Sequence, residues 1–224
     1  MNMNLDATVQ PHVIENPFFP ACDRPRWKQQ FGKPTGFLGR MAGSLMAMTN
    51  APMNRLTADL LNVQPDDHIL EIGFGPGTLI QVLASRAGRG FVAGVDHSEV
   101  MVRQAIRRNQ ECVRIERVEV KEGSVSKLPF PDGGFTKVCA VNSFHLWPSP
   151  ERDLQEVRRV MKEGGLLFLA LRMKHPRQTR FMPPGFTQEE VEQVRDMLQR
   201  AGFRNIRKVV REAGREVSCL MANR

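Results

Sequence analysis

Short apolar runs alternate with amphipathic stretches from about residue 67 to the last residue of the sequence. Runs of branched and aromatic residues predict strands, and apolar residues three or four positions apart predict helices. The predicted strands cover 68–72, 91–95, 113–120, 135–141, 166–171, 206–210 and 217–221. The predicted helices cover 78–87, 98–109, 149–161 and 187–202. This alternation predicts an α/β fold with a seven-stranded, mostly parallel sheet, helices on both faces and an antiparallel C-terminal hairpin.

Residues 1–63 have no strand pattern and divide into two parts. The first 35 are rich in proline and aromatic residues without periodicity, which predicts an arm lying on the main body. Residues 36–63 have helical periodicity, and Asn50-Ala51-Pro52 predicts a break between two helices. We therefore expect an N-terminal arm and helical lid at 1–63 and a main domain at 64–224. A mobile cover is the favoured role of the arm, and plain packing is the alternative.

Charge and apolar content narrow the class of protein. The formal net charge is +8, but the basic residues are spread along the chain and interleaved with acidic ones. A solvated basic surface is therefore favoured over contact with nucleic acid or lipid headgroups, although positive charge attracts all anions. No apolar run reaches the ~18 residues of a membrane span. The first ten residues show no export signal, so we expect a cytoplasmic protein.

The cysteines and histidines give no metal-binding pattern. Four cysteines stand far apart without a C-x-x-C pair, namely Cys22, Cys112, Cys139 and Cys219. The five histidines show no H-E-x-x-H spacing. We expect reduced, mostly buried thiols and no metal site.

The strongest chemical signal is the glycine-rich turn Gly73-Phe-Gly-Pro-Gly77, which follows a predicted strand and opens a helix. Such a turn brings backbone N–H groups close to a ligand. Asp96 ends the next strand, where a carboxylate can accept the hydroxyls of a ribose. Thr78 stands where a dinucleotide fingerprint has its third glycine, and Glu71 suits a cationic amine better than a pyrophosphate. The predicted ligand is a nucleoside with a positively charged amino-acid tail.

These segments resemble the class I S-adenosylmethionine-dependent methyltransferases over about residues 67–172. LEIGFGPG is similar to the first motif of that family and GVDHSEVM to its second, while GSVSKLPFPDGGF resembles the segment that reaches the adenine. VNSFHLW follows the fourth strand, and VMKEGGLLFLA resembles the helix-GG-strand stretch. The resemblance implies a Rossmann-like fold, S-adenosylmethionine as cofactor, S-adenosylhomocysteine as product, and no metal.

The resemblance also implies which residues bind the cofactor. The methionine portion would contact Glu71, Gly73, Gly75, Gly77 and Asn142, and Asp96 would bind the ribose. The adenine would lie between His97 and Met101, with its edge at Gly123, Ser124 and Val125. Ser124 stands where the family often has an acidic residue, so we expect a weaker hydrogen bond to the adenine amino group.

The acceptor side is less defined by the sequence. His145, in the loop after the fourth strand, is either a general base or an inert polar wall residue. Trp147 and Phe31 are candidate acceptor contacts, and packing is the alternative for Trp147. The insertion at 173–186 is either a solvated loop or a site for an anionic acceptor, formed with Arg172, Lys174, Arg177 and Arg180.

The favoured function is therefore methyl transfer to an O or N nucleophile of a small molecule by a monomer or homodimer. A phospholipid or RNA methyltransferase is the second hypothesis. No appended recognition module supports RNA, and no strongly amphipathic basic helix supports a membrane surface. The third is a non-catalytic protein that binds S-adenosylmethionine.

Overall fold

A computed structural model of the chain describes residues 36–175 and 185–224, with side chains from residue 48 onward. The helices are α1 Gly36–Leu60, α2 Thr78–Arg86, α3 Glu99–Arg108, α4 Gln110–Arg114, α5 Pro150–Val160 and α6 Gln188–Arg200. The strands are β1 His68–Ile72, β2 Phe91–Asp96, β3 Val118–Glu122, β4 Phe135–Val141, β5 Met161–Arg172, β6 Arg204–Glu212 and β7 Glu216–Asn223.

Within the described residues, the strands form one seven-stranded sheet in the order β3-β2-β1-β4-β5-β7-β6. The first five in this order are parallel, and β7 runs antiparallel to both β5 and β6. Apolar clusters cover both faces of the sheet, as expected for parallel strands that bury both faces. The predicted fold class, including the C-terminal hairpin, is confirmed.

Helix α1 is continuous, so the predicted break at Asn50-Ala51-Pro52 is wrong. Pro52 lies inside the helix and is exposed. Proline removes one backbone hydrogen bond, but on a solvent-facing side water can bind the carbonyl that loses its partner. Beyond Pro52 the buried side chains of Met53, Ala58 and Leu61 belong to the apolar cluster on one face of the sheet.

The third strand begins later than predicted, because residues 110–114 form the short helix α4. Parallel pairing with β2 starts at Val118, opposite Val92. At about 3.3 Å per residue, an extended chain at Val113 would lie roughly 16 Å before that point. Strand β2 starts at Phe91, so a strand at Val113 would have had no partner there.

Strand β5 begins at Met161, directly after α5, whereas a helix to Met161 closed by Gly164-Gly165 was expected. These glycines lie inside the strand, where its register against β4 shifts. A Cβ on Gly165 would lie 2.9–3.3 Å from the carbonyl oxygens of Lys162, Thr136 and Phe135. Gly165 therefore permits close backbone approach in the sheet, and Gly164, with φ 73°, lies in the same irregular part of the strand rather than ending a helix.

Two local predictions are confirmed in detail. Strands β1 and β4 have the predicted bounds. Thr187 and Glu190 form a reciprocal capping box at the start of α6, in which each side chain accepts a hydrogen bond from the other's backbone N–H. In the described part of the chain, no helix is long and apolar enough to cross a bilayer.

Candidate cofactor and acceptor site

A cavity of about 280 Å³ opens at the carboxyl ends of the central strands. Of the residues predicted to bind the cofactor, those that line it are Glu71, Gly73, Gly75, Asp96, His97, Met101, Gly123, Ser124, Val125 and Asn142. His145 and Trp147 line it as well. Helix α1 contributes polar side chains from above the sheet edge, namely Thr49, Asn50 and Asn54. The parallel topology brings these segments together because it places all strand carboxyl ends at one edge.

Glycines of the glycine-rich turn allow close packing against neighbouring segments, and the turn also lines the cavity. Gly73 has φ 74°, and a Cβ there would lie 2.5 Å from the Cβ of Ser143. The hydroxyl of Ser143 donates a hydrogen bond of 2.7 Å to the carbonyl of Ile72, which fixes the two loops together. Gly77 is placed outside the cavity lining, and a Cβ there would lie 2.6 Å from the Cβ of Ala105 in α3. The absence of a side chain at Gly77 thus allows α3 to pack closely against the start of α2.

Asp96 is buried at the end of β2, with both carboxylate oxygens held by backbone donors. Its Oδ2 accepts from Gly75 N at 2.9 Å, and its Oδ1 accepts from Ser98 N at 2.9 Å. Burial raises the pKa of Asp96, while these two hydrogen bonds oppose that shift. Each oxygen keeps a second acceptor site, so the carboxylate can bind ribose hydroxyls without releasing the turn.

Glu71 presents a buried carboxylate to the same cavity. Its Oε2 has no hydrogen-bond partner among the described residues. Glu71 also accepts from the backbone N–H of Ile80, in the first turn of α2. Burial, and then the charge of Asp96, raise the pKa of Glu71 well above its usual range. A buried carboxylate with an uncompensated oxygen, in a residue that lines a cavity, is suited to bind a cationic group.

The far wall of the cavity combines apolar and small residues around the end of β3. Met101 and Val125 are buried, and His97 is partly exposed, with its Nδ1 3.8 Å from Asp96 Oδ1. The hydroxyl of Ser124 accepts from Ser126 N at 3.2 Å. A hydroxyl that already serves as an acceptor retains a second lone pair, which leaves Ser124 able to accept from an amino group.

Known proteins have sequences similar to this one. A model described as a methyltransferase domain matches residues 69–165. The uncharacterized methyltransferase YdaC of Bacillus subtilis is 34% identical over 125 residues, which cover 56% of this chain and 67% of YdaC. The demethylmenaquinone methyltransferase of Symbiobacterium thermophilum is 36% identical over 124 residues, which cover 55% of this chain and 49% of that enzyme.

The fold is also shared with a solved structure. A SAM-dependent methyltransferase from Aquifex aeolicus superposes with a TM-score of 0.66 and 24% identity over 78% of this chain and 92% of that one. The chain is a class I S-adenosylmethionine-dependent methyltransferase. The family resemblance predicted from the motifs is thereby confirmed, and the protein is an enzyme of this family.

The cavity of this methyltransferase fits the cofactor of the family. Glu71 has a buried carboxylate oxygen with no partner among the described residues, as a cationic ligand group would require, and Asp96 keeps acceptor capacity, as a ribose would require. The assignment of individual residues to parts of the cofactor remains a prediction. Among the described residues, no group of three or more His, Cys, Asp or Glu side chains is arranged to hold a metal ion.

The loop after β4 carries the candidate acceptor residues. Asn142 has φ 51°, a conformation that is uncommon outside glycine and is often found at functional sites. His145 is buried in a short 3₁₀ turn at Phe144–Leu146, and its ring centroid lies 6.5 Å from that of Phe186. Trp147 is buried against Phe144, with centroids 4.8 Å apart, and also lines the cavity.

Several candidate residues lie outside the described part of the chain, and others were missed by the sequence analysis. Phe31 and the arm at 1–35 belong to the first group, as do Arg177 and Arg180 of the insertion. The lining residues that were not predicted as site residues include Thr49, Asn50, Asn54 and Ser143. Asn54 Nδ2 donates to Thr78 Oγ1 at 2.8 Å, which joins α1 to the start of α2. Asn50 carried only a helix-capping signal, and the predicted helical lid at 1–63 did not indicate which of its residues reach the cavity.

Proposed function

We propose that this methyltransferase transfers the methyl group of S-adenosylmethionine to an O or N nucleophile of a small molecule. The observation that carries the proposal is the cavity of about 280 Å³ beneath α1. Its size is close to the lower end of the range of small-molecule sites, about 300–1,000 Å³. The α1 residues Thr49, Asn50 and Asn54 line the cavity as well. Because a cavity of this size must also hold the cofactor, it favours a compact acceptor.

The binding residues hold the cofactor by complementary charge and hydrogen bonding. Asp96 would accept the ribose hydroxyls, and Glu71 would bind the cationic amino group. His97 and Met101 would flank the adenine, with Ser124 at its edge. The bound cofactor supplies an electrophilic methyl group on a sulfonium. The chain itself contributes mainly alignment and exclusion of water, and alignment alone can lower the barrier by several kcal/mol.

His145 is the candidate base for an acceptor that must lose a proton. Its imidazole lines the cavity in the loop after β4, next to Asn142 and Trp147. An imidazole can accept a proton near neutral pH, so His145 would take it from a hydroxyl or an ammonium acceptor. A neutral amine acceptor would need no base before transfer.

The proposal is tested with the full chain and a panel of small hydroxyl and amine compounds. Formation of S-adenosylhomocysteine above the rate without acceptor is expected for at least one compound. Methylation of RNA or phospholipid vesicles in preference to the whole panel, with a steep loss of binding at rising salt, would favour the polyanion hypothesis. Tight cofactor binding without turnover on any acceptor would favour the non-catalytic hypothesis.

A further inference from the structure

The cavity has a buried positive charge at the end of β5. Arg172 is the last residue of that strand, is only 8% exposed and lines the cavity. Its Nη2 donates to Asn50 Oδ1 at 2.6 Å and lies 3.8 Å from Met53 Sδ. Both partners are neutral. Within residues 36–175 and 185–224, no carboxylate lies within 4.0 Å of the Arg172 guanidinium.

A buried cation without a carboxylate partner is unusual, because burial removes the water that would otherwise solvate it. The surroundings add to the cost. Burial and then the positive charge of Arg215, in the turn between β6 and β7, lower the pKa of Arg172. An arginine nevertheless stays protonated at neutral pH. The site therefore holds a positive charge that the described residues leave uncompensated.

The sheet order places this charge away from the nucleoside end of the cavity. Strand β5 lies two strands from β1 and three from β2, on the side opposite β3. With about 4.8 Å between neighbouring strands, Arg172 lies roughly 10 Å from the strand of Glu71 and roughly 14 Å from the strand of Asp96. In the strand order, β2 with Asp96 and β1 with Glu71 both come before β5. Arg172 therefore lies beyond the positions proposed for the ribose and the amino group, at the end of the cavity where the acceptor would bind.

We propose that Arg172, oriented by Asn50, binds an anionic oxygen group of the methyl acceptor, a carboxylate or a phosphate. The planar guanidinium matches either group with two parallel N–H···O bonds. The bond to Asn50 uses one of the two Nη2 hydrogens. Apart from the weak contact with Met53 Sδ, the other Nη2 hydrogen is left to form a parallel pair with the adjacent N–H of Nε or of Nη1. The inference rests on the proposed function, because it assigns the acceptor class of the same cavity.

Titration calorimetry with acetate and with inorganic phosphate tests the anion site at constant ionic strength, with and without saturating S-adenosylhomocysteine. For Arg172→Met we expect at least tenfold weaker binding of one or both anions than for the wild type. The matched control is Arg207→Met, which removes the same charge from an exposed position on β6, and should change binding less than twofold. Equal anion affinity in the wild type and Arg172→Met would overturn the proposal.

Two further variants show whether a loss of anion binding could come from misfolding rather than from the missing guanidinium. Arg172→Lys retains the charge but loses the planar fork, and should bind the anions with intermediate affinity. Asn50→Ala keeps the Arg172 guanidinium but removes the hydrogen bond that orients it, and should weaken anion binding about threefold. Circular dichroism confirms that each variant is folded, and anion binding that is insensitive to all three changes would contradict the inference.

A second experiment distinguishes binding of an anionic acceptor by Arg172 from binding of the carboxylate of the cofactor itself. S-adenosylhomocysteine carries that carboxylate and 5′-methylthioadenosine lacks it. We expect Arg172→Met to change the affinity for both nucleosides by less than twofold. A selective loss for S-adenosylhomocysteine would assign Arg172 to the cofactor and overturn the acceptor assignment. Failure of the wild type to bind either nucleoside would instead contradict the proposed function, while the anion titrations without nucleoside would still test Arg172.

Discussion

Replacing Glu71 by glutamine is expected to stabilise the free enzyme and to weaken cofactor binding. The carboxylate is buried, and its Oε2 has no partner among the described residues. Glutamine keeps the shape and can still accept from the N–H of Ile80, but it carries no charge. The change therefore removes a desolvation cost that only a cationic ligand offsets.

The pH dependence of stability follows from the raised pKa of Glu71. The ordinary value of the group is 4.5, and the folded state raises it. The folded protein therefore binds this proton more tightly than the unfolded chain does, so the contribution of Glu71 to stability is most favourable below pH 4.5. Stability then falls as the pH rises through the raised pKa, and above it the whole cost of the buried charge is present. Glu71→Gln should remove this part of the pH profile.

The magnitude follows from the extra cost of burying a charged rather than a neutral unsatisfied group, about 1–3 kcal/mol. At pH 8 we expect the free energy of unfolding of Glu71→Gln to exceed that of the wild type by about this amount. For a chain of this size, each kcal/mol corresponds to about 2–4 °C in Tm. Loss of a hydrogen bond to a charged amine should weaken S-adenosylhomocysteine binding by about 1.5–3 kcal/mol, or about 10- to 150-fold in Kd.

Denaturant unfolding between pH 4 and 9 measures the stability, and calorimetry measures the affinity. Glu111→Gln, at an exposed position in α4, is the matched control and should leave both quantities within experimental error. A Glu71→Gln variant that is less stable at pH 8, or that binds S-adenosylhomocysteine as tightly as the wild type, would refute this reasoning.

Three other changes give separable results. Asp96→Ala should weaken S-adenosylhomocysteine binding by about 1.5–3 kcal/mol in calorimetry, because it removes a charged acceptor; unchanged affinity would exclude the ribose role. His145→Ala should leave that affinity within twofold, and a large fall in turnover with an active acceptor would identify the base, whereas unchanged turnover would identify a wall residue. Gly73→Ala should lower the unfolding free energy by at least about 1–2 kcal/mol, because φ is 74° and Ser143 is too close. Gly133→Ala has a similar φ of 62° but its nearest atom lies 3.9 Å away, so denaturant unfolding should show a smaller loss there.

The elements found correctly from the sequence are those whose boundaries depend on nearby residues. Strands β1 and β4 are short apolar runs ended by turn residues, and the α6 cap depends on Thr187 and Glu190 alone. The third strand was placed too early because its start depends on β2, through the pairing of Val118 with Val92. The break predicted at Pro52 failed because only the tertiary structure shows which side of α1 faces water.

The cofactor side of the cavity was predictable for a similar reason. Glu71, the glycine-rich turn and Asp96 directly follow or end predicted strands, and parallel strands bring their carboxyl ends to one edge. The sequence by itself therefore determined the fold class and the segments that meet a nucleoside. Only the tertiary structure showed which α1 residues reach that edge, that Arg172 lies beside Asn50, and that Gly77 packs closely against Ala105. Contacts between Arg172 and Asn50 join positions 122 residues apart, and local periodicity carries no information on how such distant segments pack.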